Sequence, residues 1–289
     1  MPIAATGDLI AEAAAQQRAV AAFNVITLEH AEAIAEGAEA AGAPVILQIS
    51  ENAVAYHRGR PRPLARAAAE VADQATVPVS LHLDHVQSAE LLHRAADCGF
   101  SSAMFDAAKL PYAENLAATR AAVLWAHERG LWLEAELGQV GGKNGEPALD
   151  AHAPGARTDP DEARSFVAAT GVDALAVAVG TSHAMTSRDA VIDHALLGRL
   201  REAVPVPLVL HGSSGASDEE LARAVAAGIR KVNIGTALNI AMTGAIRERL
   251  ARDDRSVDPR RYLADGRDAM ARTVARMISL LPSGRAQAA

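Results

Sequence analysis

The sequence predicts a single-domain α/β barrel of eight parallel strands, each followed by a helix, and three observations carry that reading. Helix and strand signals alternate from one end of the chain to the other. The strand candidates are near-continuous apolar runs rather than strict alternations, the pattern of a parallel sheet covered on both faces. The length, 289 residues, suits one (β/α)8 barrel of the TIM type, which commonly runs to about 250 residues. No interior linker, low-complexity block or composition break divides the chain. A barrel over residues 1–281 and a flexible C-terminal tail over residues 282–289 are therefore expected.

The elements follow in order. Ile10–Ala19 reads as a leading helix, Val20–Val25 as the first strand, and Leu28–Ala41 as a helix stopped by Gly42. Val45–Ile49 is the second strand, followed by a helix over Leu64–Gln74. Val79–His85 is the third, and its helix has Ser88 as N-cap and Gly99 past its end. Ser101–Phe105 is the fourth strand; the next helix starts at Pro111, a favoured first-turn residue, and stops at Gly130. Leu131–Leu137 is the fifth strand, and a polar, Gly-rich excursion runs from Gly138 to Thr158, long enough to suggest a functional lid. Asp159-Pro160-Asp161-Glu162 opens a helix that Gly171 closes. Ala174–Val179 is the sixth strand and Leu208–Leu210 the seventh. Ser217-Asp218-Glu219-Glu220 has capping-box form, Gly228 closes its helix, Ile229–Ile234 is the eighth strand, and two amphipathic helices finish the chain.

Composition narrows the function. Hydrophobic residues make up 50 % of the chain and aromatics 3 %, ample for a large core but not for a cage of rings. The net charge is −7, with 28 basic and 35 acidic residues interspersed. No basic patch interleaved with aromatics appears, which argues against nucleic acid as a partner. The single cysteine, Cys98, excludes an internal disulfide and a cysteine zinc site, and reads as a small buried apolar residue. No basic segment followed by an apolar one marks the N-terminus, and no run reaches membrane-spanning length, so a cytoplasmic protein with no membrane association is expected.

In such barrels the active site lies at the C-terminal ends of the strands. There the sequence places Asn24, Ser50, Asp84, His85, Asp106, Glu134, Glu136, His183, His211, Ser214, Asn233 and Thr236. His85, His183 and His211 each follow a different apolar run. Together they offer three neutral imidazoles and leave a coordination position open, the arrangement of a catalytic zinc rather than a structural one. An open-site zinc polarises a carbonyl or stabilises an enolate oxygen. Asp84 precedes a ligand and fits either an acid/base role or the orientation of a histidine. His82 is open between packing, support of a neighbour and substrate contact. The His211-Gly212-Ser213-Ser214-Gly215 and Asn233-Ile234-Gly235-Thr236 turns offer backbone N–H groups, hydroxyls and helix N-termini after strands seven and eight, where barrels often hold phosphate. No Walker-type or dinucleotide glycine motif sits in the required strand-turn-helix setting.

Seven ordered motifs carry a resemblance: Ala22-Phe23-Asn24, His82-Leu83-Asp84-His85, Met104-Phe105-Asp106-Ala107, Glu134-Ala135-Glu136-Leu137-Gly138, Gly180-Thr181-Ser182-His183, Leu210-His211-Gly212-Ser213-Ser214-Gly215 and Asn233-Ile234-Gly235-Thr236. Across nearly its whole length the chain resembles the class II, metal-dependent ketose-bisphosphate aldolases of the fructose and tagatose type. The resemblance implies a homodimer or homotetramer and reversible aldol cleavage of a ketose 1,6-bisphosphate to dihydroxyacetone phosphate and an aldehyde. It implies zinc on His85, His183 and His211, with Asp106 and Glu136 serving an alternative resting position of the metal and Glu134 nearby. It makes Asp84 the shuttle for the proton on the C4 oxygen. Ser214, Asn233, Thr236 and the backbone of Gly212 would hold the phosphate, helped by a monovalent cation (Na+ or K+), while Asn24 and Ser50 would contact the substrate chain. A Schiff-base route is disfavoured: Lys109 and Lys143 lie beyond strand ends, and alternation leaves the direction of Lys231 open.

Two departures from the family pattern stand out. Asn144 occupies the place after Gly141-Gly142 where the family carries an acid, and Glu146, two residues on, is the candidate to replace it. Ala184 follows His183 where the family has glycine, and Arg188 either adds charge to the same rim or is a plain surface residue. The reaction class is therefore firmer than the substrate. Three alternatives stay open: an aldolase for another phosphorylated keto-sugar or keto-acid, a non-catalytic sugar-phosphate-binding barrel, and a metal-dependent hydrolase.

Overall fold

Eight parallel strands close on themselves in sequence order, the first pairing with the eighth, as the apolar runs predict. The computed structural model describes residues 3–138, 140–141 and 156–281. The expected tail over 282–289, most of the expected lid, and Lys143, Asn144 and Glu146 lie outside the described residues.

In chain order the elements are α1 (Thr6–Ala15), β1 (Val20–Asn24), α2 (Leu28–Ala41), β2 (Val45–Ser50), α3 (Glu51–Tyr56), α4 (Pro61–Gln74) and β3 (Val79–Val86). Then come α5 (Ala89–His93), α6 (Ala95–Cys98), β4 (Ser102–Phe105), α7 (Tyr112–His127), β5 (Trp132–Leu137), α8 (Pro160–Thr170) and β6 (Ala174–Val177). The chain closes with α9 (His194–Ala203), β7 (Leu208–Leu210), α10 (Asp218–Ala227), β8 (Ile229–Ile234), α11 (Thr236–Arg252) and α12 (Pro259–Leu280). Local chemistry sets these limits. The hydroxyl of Ser88 accepts the Leu91 N–H, the Asp159 carboxylate accepts the Asp161 and Glu162 N–H groups, and the Ser217 hydroxyl accepts the Glu220 N–H. Pro61, Pro160 and Pro259 stand in first turns, where a missing N–H costs nothing.

Several elements differ from the sequence expectation, among them α3, a helix that the sequence reading did not draw, and α4, which starts at Pro61 rather than Leu64. The first helix starts at Thr6 rather than Ile10 and ends at Ala15, because Gln17 turns into the left-handed region with φ 53°. The helix expected after Ser88 breaks at Arg94 into α5 and α6. A further helix, α9, capped by Asp193 on the Leu196 N–H, lies between β6 and β7, where the sequence drew no boundaries.

Period-two alternation sorts the strand residues. Phe23, Leu47, Leu81, Leu133, Leu175 and Ile234 join the large core shared with the helices. Leu9, Ile10 and Ala13 of α1 pack on Val20, Ala22 and Ile46, so α1 closes the barrel floor. Thr6 pins it there: its Oγ1 donates to Ser80 Oγ at 3.1 Å, and Ser102 Oγ donates back to it at 2.6 Å. Met104, Ala174, Ala176 and Val209 form a second small apolar cluster. Beside these apolar clusters the buried set turns polar, with Gln48, His82, Asp84, Glu134, Glu136, His211, Lys231 and Asn233 all shielded from solvent. Buried charges persist only when paired and hydrogen-bonded. That need governs the site.

Candidate metal-dependent active site

β3 carries the first part of the site. Strict alternation would send Asp84 and His85 to opposite faces of the sheet. The pairing of β3 with β4 shifts between Leu83 and Val86, and His85 has φ 51°. This bulge turns the imidazole toward the mouth, and both side chains line the same cavity. A non-glycine residue held in that region stores strain, which collects at functional sites.

Among the described residues, His85, His183 and His211 bring one donor nitrogen each to within 4.8 Å of one another. Their rings meet edge-on, with centroids 4.9, 4.7 and 5.7 Å apart. Carboxylates aim two of them. His85 Nδ1 lies 2.9 Å from Asp106 Oδ2, which leaves Nε2 for the cavity. His211 Nε2 lies 2.8 Å from Glu134 Oε1, and its Nδ1 stands 3.1 Å from Glu136 Oε2. A carboxylate on the second nitrogen is how metal-bound histidines are generally oriented. The donor set therefore fits zinc: three imidazoles, carboxylates behind two of them and room for one more ligand.

The electrostatics agree with that fit. Burial alone would lower the His211 imidazole, but the Glu134 and Glu136 carboxylates outweigh it and push the ring up to about 9. A cation binding there takes the place of a proton. Burial would raise the Asp84 carboxyl; the His85 imidazole, the Lys231 ammonium and the His82 ring outweigh it and hold Asp84 below the ordinary value. Asp84 is thus an anion 4.0 Å from His85 Nε2, placed to accept a proton.

Opposite the histidines lies an anion cradle. The cavity, about 140 Å³, is lined by Asn24, Asp84, His85, His183, Gly212, Ser214, Asn233 and Thr236 among others. Gly212 has φ 65°, and a Cβ there would lie 2.6 Å from the Ser182 carbonyl, so only glycine fits. Helix α11 opens at Thr236 without an acidic residue in its first turn, and Ser214 Oγ accepts the Ala237 N–H at 3.2 Å. Gly235, Thr236 and Asn239 line the cavity, so the positive end of the helix dipole faces it, which favours an anion there.

The remaining expected positions divide. Ser50 does not line the cavity; it ends β2 beside Asp84 and accepts the Ala53 N–H as the cap of α3. His82 is buried, with Nδ1 2.8 Å from Ser102 Oγ and Nε2 3.8 Å from Asp84 Oδ1. Arg188 is tied to the Ala216 carbonyl and to Asp218. Lys231 points into the barrel and pairs with Glu134. Gln48, Ser182, Asn239 and Ile26 line the cavity without having been singled out in the sequence. Of these, Gln48 and Ser182 carried a usable signal, a polar residue inside or beside an expected strand end.

The chain is similar to known proteins in sequence and in fold. A family model described as fructose-bisphosphate aldolase class-II matches residues 4–285. A fructose-bisphosphate aldolase from Geobacillus stearothermophilus is 38% identical over 279 residues, 95% of each chain. The crystal structure of the YdjI aldolase from Escherichia coli K12 superposes with a TM-score of 0.85 at 33% identity over 98% of both chains. A Campylobacter jejuni fructose-bisphosphate aldolase, at 22% identity and covering 97% of this chain and 95% of that one, shares the fold with a TM-score of 0.82.

Proposed function

This chain belongs to the class II fructose-bisphosphate aldolase family, whose members are metal-dependent aldehyde-lyases, and on that premise we propose that it reversibly cleaves a ketose 1,6-bisphosphate, fructose or tagatose, to dihydroxyacetone phosphate and an aldehyde. The observation that carries the reading is the convergence of three histidine donors beside the Asp84 carboxylate, across one cavity from the N-terminus of α11.

His85, His183 and His211 are the residues that hold zinc in this reading, with Asp106 and Glu136 available for a second position of the metal. Zinc supplies a Lewis acid that polarises the substrate carbonyl and stabilises the negative charge left as the C3–C4 bond breaks. Asp84 takes the proton from the C4 hydroxyl in cleavage and returns it in condensation. The cradle of Gly212, Ser214, Asn233 and Thr236 holds the phosphate, with a monovalent cation as the counter-charge. Asn24 and Ser50 act toward the substrate chain, Ser50 from its capping position. Glu146, outside the described residues, is the proposed exchanger of the proton at the triose carbon. Assembly as a homodimer or homotetramer and a cytoplasmic location complete the proposal. Among the described residues no helix is long and apolar enough to cross a membrane.

The test is a comparison of kcat/KM for zinc-loaded enzyme on fructose 1,6-bisphosphate, tagatose 1,6-bisphosphate and a phosphorylated deoxyketo-acid. Release of dihydroxyacetone phosphate from one of the two ketoses supports the proposal. Preference for the keto-acid moves the chain to another aldolase substrate. No cleavage of any of them, with ligand still bound, leaves a sugar-phosphate-binding barrel.

A further inference from the structure

Lys231 lies inside the barrel with its side chain fully shielded from solvent, and no step of the proposed reaction uses it. Its Nζ donates to Glu134 Oε2 at 2.8 Å and to Asn233 Oδ1 at 2.8 Å. Each acceptor has a second partner at the mouth. Glu134 reaches His211 Nε2 through its other oxygen, at 2.8 Å. Asn233 Nδ2 donates to Asp84 Oδ1 at 3.4 Å. One ammonium thus stands behind a metal ligand on one side and behind the proton acceptor and the phosphate cradle on the other.

The chemistry of lysine makes this arrangement directional. An ammonium has three donors and no acceptor. Asn233 must therefore turn its carbonyl oxygen to Lys231 and present its NH2 to Asp84 and the cavity. A neutral or absent residue at 231 would leave only the longer 3.4 Å contact to Asp84 to orient the amide, and a carbonyl aimed at Asp84 and at an anion would repel both. On the other branch, the ammonium is the charge partner of the buried Glu134 carboxylate and holds its Oε2, which leaves Oε1 facing His211.

We infer that Lys231 is a positioning residue that orients the His211 ligand through Glu134 and the Asn233 amide directly, coupling the metal site to the substrate cradle. The metal branch and the cradle branch rest on the function proposed above. Their readouts are kept separate from it.

The experiment compares wild type, Lys231→Met and the Lys231→Met, Glu134→Gln double variant as full-length chains. Zinc affinity is measured by competition with a chelating dye. Binding of dihydroxyacetone phosphate to the zinc-loaded chains is measured by calorimetry, alongside KM and kcat. Loss of a group behind a metal ligand typically weakens the metal by about 10–100-fold, and that loss is expected for Lys231→Met. The double variant buries no lone carboxylate and keeps an acceptor for His211, so it should fold and regain most of the zinc affinity. Its dihydroxyacetone phosphate affinity should stay roughly tenfold weaker, with KM raised more than kcat is lowered, because only the 3.4 Å contact to Asp84 then holds the Asn233 amide. If Lys231→Met keeps wild-type affinity for both zinc and ligand, the inference fails. It also fails if the double variant regains ligand binding together with zinc, since Lys231 is then only a core charge. Where Lys231→Met does not fold, the double variant decides. A wild type that cleaves no ketose phosphate sinks the proposed function, while the zinc titrations still judge Lys231.

Discussion

The Asp84 carboxylate and the His85 imidazole are neighbours in sequence yet line one cavity, with Asp84 Oδ2 and His85 Nε2 4.0 Å apart. The left-handed backbone at His85, φ 51°, makes this possible. A flat strand would have buried one of the two among the helices. The bulge therefore places a proton acceptor within reach of whatever the histidines bind.

Asp84→Asn keeps the shape and removes the base. Its kcat on the preferred ketose phosphate should fall by about 10²–10⁴-fold, the usual worth of a positioned acid/base. Zinc content per chain, read by atomic absorption, should stay at the wild-type value. A fall in zinc content matching the fall in rate would make Asp84 a support for the ligands instead.

Ala184 sits at φ 58° just after His183, so its Cβ is held in the region that disfavours L side chains. Ala184→Gly removes a strain of about 1–2 kcal/mol and adds an unfolded-state entropy cost of roughly 0.5–1 kcal/mol. The expected outcome is a gain of up to about 1.5 kcal/mol in urea unfolding, where the two effects oppose. A loss of stability would show that the alanine methyl makes a contact worth more than the strain.

His82 gives a pH prediction with a defined sign. Burial first, then the Lys231 ammonium, lowers its folded pKa from 6.5 to about 3. Between those values the unfolded chain binds the proton and the folded chain does not. Its contribution is therefore complete above 6.5 and is lost as pH falls toward 3. In chelator-treated protein, the urea-unfolding stability of wild type minus that of His82→Gln should shrink with falling pH across this window. The slope should approach roughly 1.4 kcal/mol per pH unit. A difference that does not change with pH would mean that His82 binds its proton as readily in the fold as in the unfolded chain.

Much of this was legible in the sequence, for physical reasons. Apolar runs ending in polar residues located the strands, because parallel strands are buried on both faces and meet water only at their ends. That placed His85, His183, His211 and Asp84 together before any coordinates, and the glycine at 212 before its φ was known. Other features were not legible. Alternation alone could not turn Lys231 inward, since neither face of a buried strand carries a polarity signal. The bulge at His85 depends on the register of β3 against β4, a non-local property. The early start of α1 depends on Thr6 reaching Ser80 across 74 residues. Asn239 lies one turn into α11 and reaches the cavity only because that helix starts at its edge.

The central claim is that three histidines hold a metal that the reaction requires. The direct measurement is dihydroxyacetone phosphate release by wild type and by the His85→Ala, His183→Ala double variant, each assayed with and without zinc after chelation. The account predicts that chelation abolishes wild-type release, that zinc restores it, and that the double variant is inactive under both conditions while remaining folded by circular dichroism. Full activity in the double variant would contradict it.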